Sequence, residues 1–95
     1  MGIAQVYINQ VLRRVSQNAV HFTQTVLNHL NDPNRKVPVK LLVDCIRYGK
    51  ARPDPQKTRA IMYTITNFYR NGQRYNLEVL FDWFTMTILH FKYWR

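Results

Sequence analysis

Glu78 is the only glutamate in a chain of 95 residues that carries fourteen Lys plus Arg against five Asp plus Glu, for a formal net charge of +9. It lies inside the apolar run Tyr75-Asn-Leu-Glu-Val-Leu-Phe, and His90 lies in the next apolar run. A carboxylate and an imidazole among many cations suit a site that holds a polyanion and moves a proton. Cleavage of RNA without a metal can use those groups. A base removes the proton of a 2′-hydroxyl, which attacks the adjacent phosphorus. An acid protonates the leaving 5′-oxygen, and cations stabilise the charge that builds on the phosphoryl oxygens. Glu78 suits the base, because a neighbouring Arg59 or Lys would keep it ionised near neutral pH. His90 suits the acid, since its unperturbed pKa is near 6.5. Arg59, Lys57 and Lys92 suit phosphate, Arg as a planar fork and Lys as a point charge. Tyr63 could donate a hydrogen bond or stack a base.

Each residue also has a plainer reading. Glu78 could form a structural ion pair with Lys92 or Arg59. His90 could be an idle sheet residue, and Tyr63 could simply pack, as the β propensity of Tyr favours. Arg13, Arg14 and Arg70 read as solvated surface charges. His21 and His29, read from spacing alone, are helix-surface or capping histidines.

These residues must be positioned by one small domain spanning residues 1–95. The apolar fraction of 46% and aromatic fraction of 14% describe a globular chain rather than a disordered one. The cationic excess points to an anionic partner, either nucleic acid or a membrane surface. No apolar stretch is long enough to span a bilayer, and no signal peptide is expected at the start. Met1-Gly2 fits a domain cut from a longer protein. Cys45 is the sole cysteine, so an internal disulfide is excluded, and its flanks Leu41, Leu42, Val43 and Ile46 suggest a buried thiol. Three histidines and scattered acids do not supply a metal site, and no cofactor is expected.

Apolar residues recur at positions 4, 8, 11, 15, 19, 22, 26 and 30, which is helical spacing. A break at Ser16-Gln17-Asn18 divides them into two helices, and Asn31-Asp32-Pro33-Asn34 ends the second. Pro38 suits the first turn of a third helix, Val39 to about Tyr48, with Leu41, Leu42, Cys45 and Ile46 inward and Gly49 as its C-cap. The segment Lys50 to Lys57 holds two prolines and reads as a loop. Three β-rich runs follow, Thr58–Tyr69, Tyr75–Asp82 and Thr85–Trp94. Asn71-Gly72 is a type I′ hairpin signal between the first two. The expected class is α+β, with N-terminal helices over residues 3–50 packed on a twisted antiparallel sheet over 58–94.

Register then assigns faces. A two-residue turn at Asn71-Gly72 sets Phe68 opposite Tyr75, Thr64 opposite Val79 and Met62 opposite Phe81. A two-residue Trp83-Phe84 turn would put His90 among Leu77 and Val79, whereas a three-residue loop, Trp83 to Thr85, sets His90 directly opposite Glu78 and is preferred because it gathers Leu89, Phe91 and Tyr93 with Tyr75, Leu77, Val79 and Phe81 on an apolar face. The other face would carry Arg59, Tyr63, Asn67, Asn76, Glu78, His90 and Lys92.

The segment Val20-His-Phe-Thr-Gln-Thr-Val-Leu-Asn-His-Leu resembles the opening of small C-terminal toxin domains of bacterial polymorphic and contact-dependent growth-inhibition (CdiA-type) systems. Leu77-Glu-Val and Thr87-Ile-Leu-His-Phe resemble their closing strands. The resemblance covers about residues 20 to 94. Those domains are similar in fold to barnase, EndoU, colicin and RelE-type ribonucleases. The resemblance implies a ribonuclease, with tRNA as substrate, an immunity protein as partner, and delivery from a secreted or cell-surface parent into the cytoplasm of a target bacterium. It also implies that His21, Thr25, His29, Glu78 and His90 line one cleft, with His29 able to replace either catalytic group. The stretch from Arg35 to Lys57 departs from the pattern of the nearest such domains.

Residues and resemblance together give the expectation of a metal-independent ribonuclease toxin. Glu78, His90 and His29 would be catalytic, and His21, Thr25, Lys57, Arg59, Tyr63 and Lys92 would hold substrate. The immunity protein is expected to be acidic, since complementary charge speeds capture. One rival is a non-catalytic basic nucleic-acid-binding domain, which the same charge and thirteen aromatics would serve. Another is a toxin that cuts mRNA on the ribosome. A metal-dependent DNase fits five scattered acids poorly.

Overall fold

The structure, a computed structural model, describes residues 15–95 apart from the side chains of residues 67 and 68. The first expected helix and Asn67 as a face residue therefore lie outside the described residues. The elements are a 3₁₀ turn at Gln17–Ala19, β1 (His21–Phe22), α1 (Gln24–Leu30), α2 (Val39–Tyr48), β2 (Lys50–Pro53), β3 (Ile61–Arg70), β4 (Gln73–Asp82) and β5 (Thr87–Trp94). The class is α+β, with strand order β1-β5-β4-β3-β2 in one sheet. Three expectations need correction. The sheet is mixed, because β1 pairs parallel to β5. The helices follow the first strand rather than preceding the whole sheet. Lys50–Pro53 is an edge strand, antiparallel to β3. Pro53 ends that strand at the sheet margin, where a missing N–H costs no ladder bond.

Phe22 has helical spacing with Val26 and Leu30, yet it and His21 are extended. Their ladder is completed by β5: the His21 amide donates to the Met86 carbonyl at 2.7 Å and the Thr23 amide to that of Ile88 at 3.3 Å. Thr23 then caps α1, its hydroxyl accepting from the Val26 amide at 3.2 Å. The third helix forms where expected, with Pro38 one position earlier, at the N-cap. Leu42, Val43, Cys45 and Ile46 are buried on it, and Leu41 only partly. Gly49 is not left-handed (φ −71°); its need is steric. A Cβ there would run into the Cys45 carbonyl and stand 3.0 Å from that of Thr64. Cys45 is buried, its thiol donating to the Tyr63 and Leu77 carbonyls at 3.4 and 3.6 Å.

Both helices cover one side of the sheet. Val26, Leu42, Ile46, Leu77, Val79, Phe81 and Ile88 are fully buried there, and each such side chain contributes roughly 1.5–3 kcal/mol by leaving water. Arg70, far from a free surface charge, anchors the loop before α2. It donates to the carbonyls of Lys36 (2.6 Å) and Pro33 (3.0 Å) and to the Tyr93 hydroxyl (2.9 Å).

The hairpins decide the faces. Asn71 (φ 52°) and Gly72 (φ 76°) form the expected two-residue turn, with Arg70 opposite Gln73 and Phe68 opposite Tyr75. A bulge between Ile65 and Phe68 then shifts the register, so Tyr63, not Thr64, faces Val79. One shift exchanges the faces of β3 from Ile65 back to Ile61. The β4–β5 loop has four residues, Trp83 to Met86, rather than three. A further shift between Leu80 and Phe81 sets His90 opposite Leu80 and Lys92 opposite Glu78. Two shifts restore the original parity, so His90 and Glu78 still share a face.

Candidate functional site

The face away from the helices is organised in rows across four strands. One row is Lys50–Thr64–Glu78–Lys92 and the next is Arg52–Met62–Leu80–His90. Met62 and Leu80 make an apolar floor between Arg52 and His90. The row beyond holds Asp82 and Thr87, with His21 of β1 opposite Thr87. Arg52, Glu78, His90 and Lys92, with Met62, Leu80 and Asp54-Pro55-Gln56, line an open cleft of about 460 Å³.

Glu78 is 5% exposed, although it projects from the side without helices. Two long cationic side chains roof it. Arg52 donates through Nη2 to Oε1 at 2.9 Å, and Lys92 Nζ stands 3.7 Å from Oε2. Both cations are themselves more than half exposed, so the carboxylate is dry and its partners are wet. Solvent therefore screens the cation side of these contacts.

His90 has its pKa lowered from 6.5. Burial is the main cause, and the positive charges of Lys92, His29 and Arg35 add to it, while the Glu78 carboxylate opposes it. In the free protein His90 is thus largely neutral at pH 7. An anion seated among Arg52, Lys92 and His90 would reverse the balance, by screening the cations and favouring imidazolium.

The other expected site residues fall elsewhere. Tyr63 is 3% exposed on the helix-covered side, where its hydroxyl accepts from Trp83 Nε1 at 2.7 Å; the β3 bulge put it there. Arg59 pairs with Asp82, not Glu78, through Nη2 at 2.9 Å and Nε at 3.0 Å, and its guanidinium lies 4.8 Å from the centre of the Phe84 ring. Lys57 sits in the turn after β2 at φ 61°, its amide donating to the Asp54 carbonyl. Asp54 holds that turn, accepting from Thr58 Oγ1 and the Gln56 amide. Thr25 is exposed on α1, and His21 is exposed at the sheet margin. His29 lines a separate hollow of about 260 Å³ with Asn34, Arg35, Phe91, Lys92 and Tyr93, its Nε2 2.9 Å from Arg35 Nη1. Lys92 is the shared wall between that hollow and the main cleft.

Arg52 is the residue that sequence reasoning missed. Its signal was present in Lys50-Ala-Arg-Pro, a polar–apolar–polar alternation ending in proline, which suits an edge strand.

The arrangement can hold an anion between two exposed cations and can exchange protons with it through a carboxylate and an imidazole. Among the described residues, no group of His, Cys, Asp and Glu could hold a metal ion, and no helix is long and apolar enough to cross a membrane. No family model matches the chain, and it matches no curated protein and no solved structure.

Proposed function

We propose that the protein is a metal-independent ribonuclease of the bacterial toxin kind, with tRNA as its substrate. One observation carries the reading: Glu78, His90, Arg52 and Lys92 surround one cleft on the side of the sheet that the helices leave open. A scissile phosphate draws Arg52 and Lys92 onto its oxygens and frees the Glu78 carboxylate. Glu78 then takes the 2′-hydroxyl proton as that oxygen attacks phosphorus. His90, protonated once the phosphate screens its cationic neighbours, gives its proton to the departing 5′-oxygen. The products are a 2′,3′-cyclic phosphate and a free 5′-hydroxyl. His29 stands behind Lys92, close enough for its charge to reach His90, and serves as a reserve proton carrier.

The sequence resemblance supports a setting for this chemistry: release from a secreted or cell-surface parent, action in the cytoplasm of a target bacterium, and neutralisation by an acidic immunity protein covering the cationic cleft. The test is incubation of purified protein with total tRNA in EDTA. Fragments ending in cyclic phosphate are expected, and intact tRNA with naked RNA and with programmed ribosomes alike would overturn the reading.

A specific observation favours a second reading. Glu78 is engaged on both oxygens by cations, as a purely structural ion pair would be. The face would then be a nucleic-acid-binding surface without catalysis, shifting tRNA on a gel and leaving it whole.

A further inference from the structure

Beside the main cleft lies a second hollow of about 270 Å³, lined by Lys50, Arg52, Thr64 and Trp94. Arg52 belongs to both, so the two form one groove along the open face. Trp94 stands two residues past Lys92 on the same side of β5, about 7 Å along the strand. The residue is 40% exposed, and Lys92 Nζ stands 5.4 Å from the centre of its ring. The other exposed aromatics line neither hollow of this groove: Tyr69 borders a separate hollow with Pro33, Pro38 and Leu41, the Phe84 ring is covered by an Arg59 that Asp82 holds, and Tyr48 at the end of α2 carries Arg47 at 5.4 Å.

We infer that this hollow is a base-binding subsite, in which Trp94 stacks one unpaired nucleobase while Lys50 and Arg52 hold its phosphate, so that the substrate is single-stranded RNA. The inference rests on the cleft reading for the position of the neighbouring phosphate. Charge supports the occupant: three cations, Lys50, Arg52 and Lys92, border the groove, and Glu78, the acid between them, is roofed over. Size supports it too. The hollow has room for on the order of nine waters, enough for one flat ring. Bases within an A-form helix are stacked on each other and cannot reach an aromatic side chain, whereas those of loops and ends can be splayed onto one. A tRNA offers such bases in its loops and at its 3′ end.

The test uses a short 2′-O-methyl RNA, which has no 2′-hydroxyl to attack and so reports binding whether or not the protein cleaves. Fluorescence anisotropy at physiological salt compares the single strand with the same sequence in a duplex. Wild type is expected to prefer the single strand, and Trp94→Ala to weaken that binding about 5- to 100-fold with duplex binding changed less than about 2-fold. Trp94→Phe should keep most of the affinity. Trp94→Leu, which keeps apolar bulk without a π face, should lose it while melting like wild type, so the result stands even if Trp94→Ala folds poorly. Equal binding of both forms by wild type, or single-strand binding unchanged in Trp94→Leu, overturns the subsite. Uncleaved natural RNA alongside Trp94-dependent binding would instead sink the nuclease reading and leave the subsite standing.

Discussion

Glu78 and Asp82 project from the same strand to the same side of the sheet, four residues apart, and both are almost fully buried beneath an arginine. Their partners differ in kind. Burial alone would raise the Asp82 pKa, but the Arg59 side chain, the Phe84 amide and the Thr85 amide bond to it and hold it below the usual carboxylate value. Its Oδ1 accepts from the Phe84 amide at 2.9 Å, which fixes the start of the β4–β5 loop. Glu78 has side-chain partners, both more than half exposed. A carboxylate tied to backbone amides shapes the chain. One held by exposed side-chain cations has no such tie to the chain.

That contrast can be broken in four ways. The largest effect is expected from Glu78→Gln, which keeps shape and the Arg52 contact: tRNA cleavage should fall by about 10²–10⁴-fold with the melting temperature nearly unchanged. Asp82→Asn should do the reverse, lowering the melting temperature while leaving cleavage within a few fold of wild type. Equal loss of cleavage in both, read on denaturing gels, would erase the distinction.

His90→Ala should also cost about 10²–10⁴-fold, and its pH signature sharpens the roles. Because its pKa in the free protein is lowered, kcat/KM should fall as pH rises through a point below 6.5. The corresponding limb of kcat should lie at higher pH, since bound phosphate favours imidazolium. A kcat/KM that rises over that interval would make His90 the base. The same shift bears on stability. The unfolded chain binds the His90 proton more tightly, so its contribution is intact above pH 6.5 and is lost as pH falls from there through the lowered folded value. Thermal melts of wild type and His90→Gln across that window should converge at its acid end.

A smaller effect is expected from the cations. Lys92→Ala and Arg52→Ala should each weaken RNA binding and reduce the salt slope by about one phosphate contact. Arg59→Ala, whose guanidinium is already engaged by Asp82, should change that slope least and the melting temperature most. The smallest effect belongs to His29→Ala, a few fold in rate, since His29 stands in the neighbouring hollow beyond Lys92.

Much of this was legible before any coordinates. Asn71-Gly72 specifies its turn because both residues tolerate φ above zero. Pro38 and Gly49 bracket α2, and the runs around Leu77 and Phe91 alternate as strands must. The pairing partners of Arg52 and Arg59 were not legible, because which strand lies beside which is a long-range fact that local spacing does not encode. Nor was β1, whose two residues are extended only because β5 completes their hydrogen bonds.

The amino-acid order determined α2, the three long strands, the cationic excess and the pair of titratable groups on neighbouring strands. Folding decided which side each group faces. Side chains alternate with a period of two, so every bulge or extra loop residue exchanges inside for outside. One irregularity carried Tyr63 into the core, and two cancelled to leave His90 beside Glu78. Such one-residue shifts are set by how well the whole sheet packs against its helices, and no local stretch of sequence carries that information.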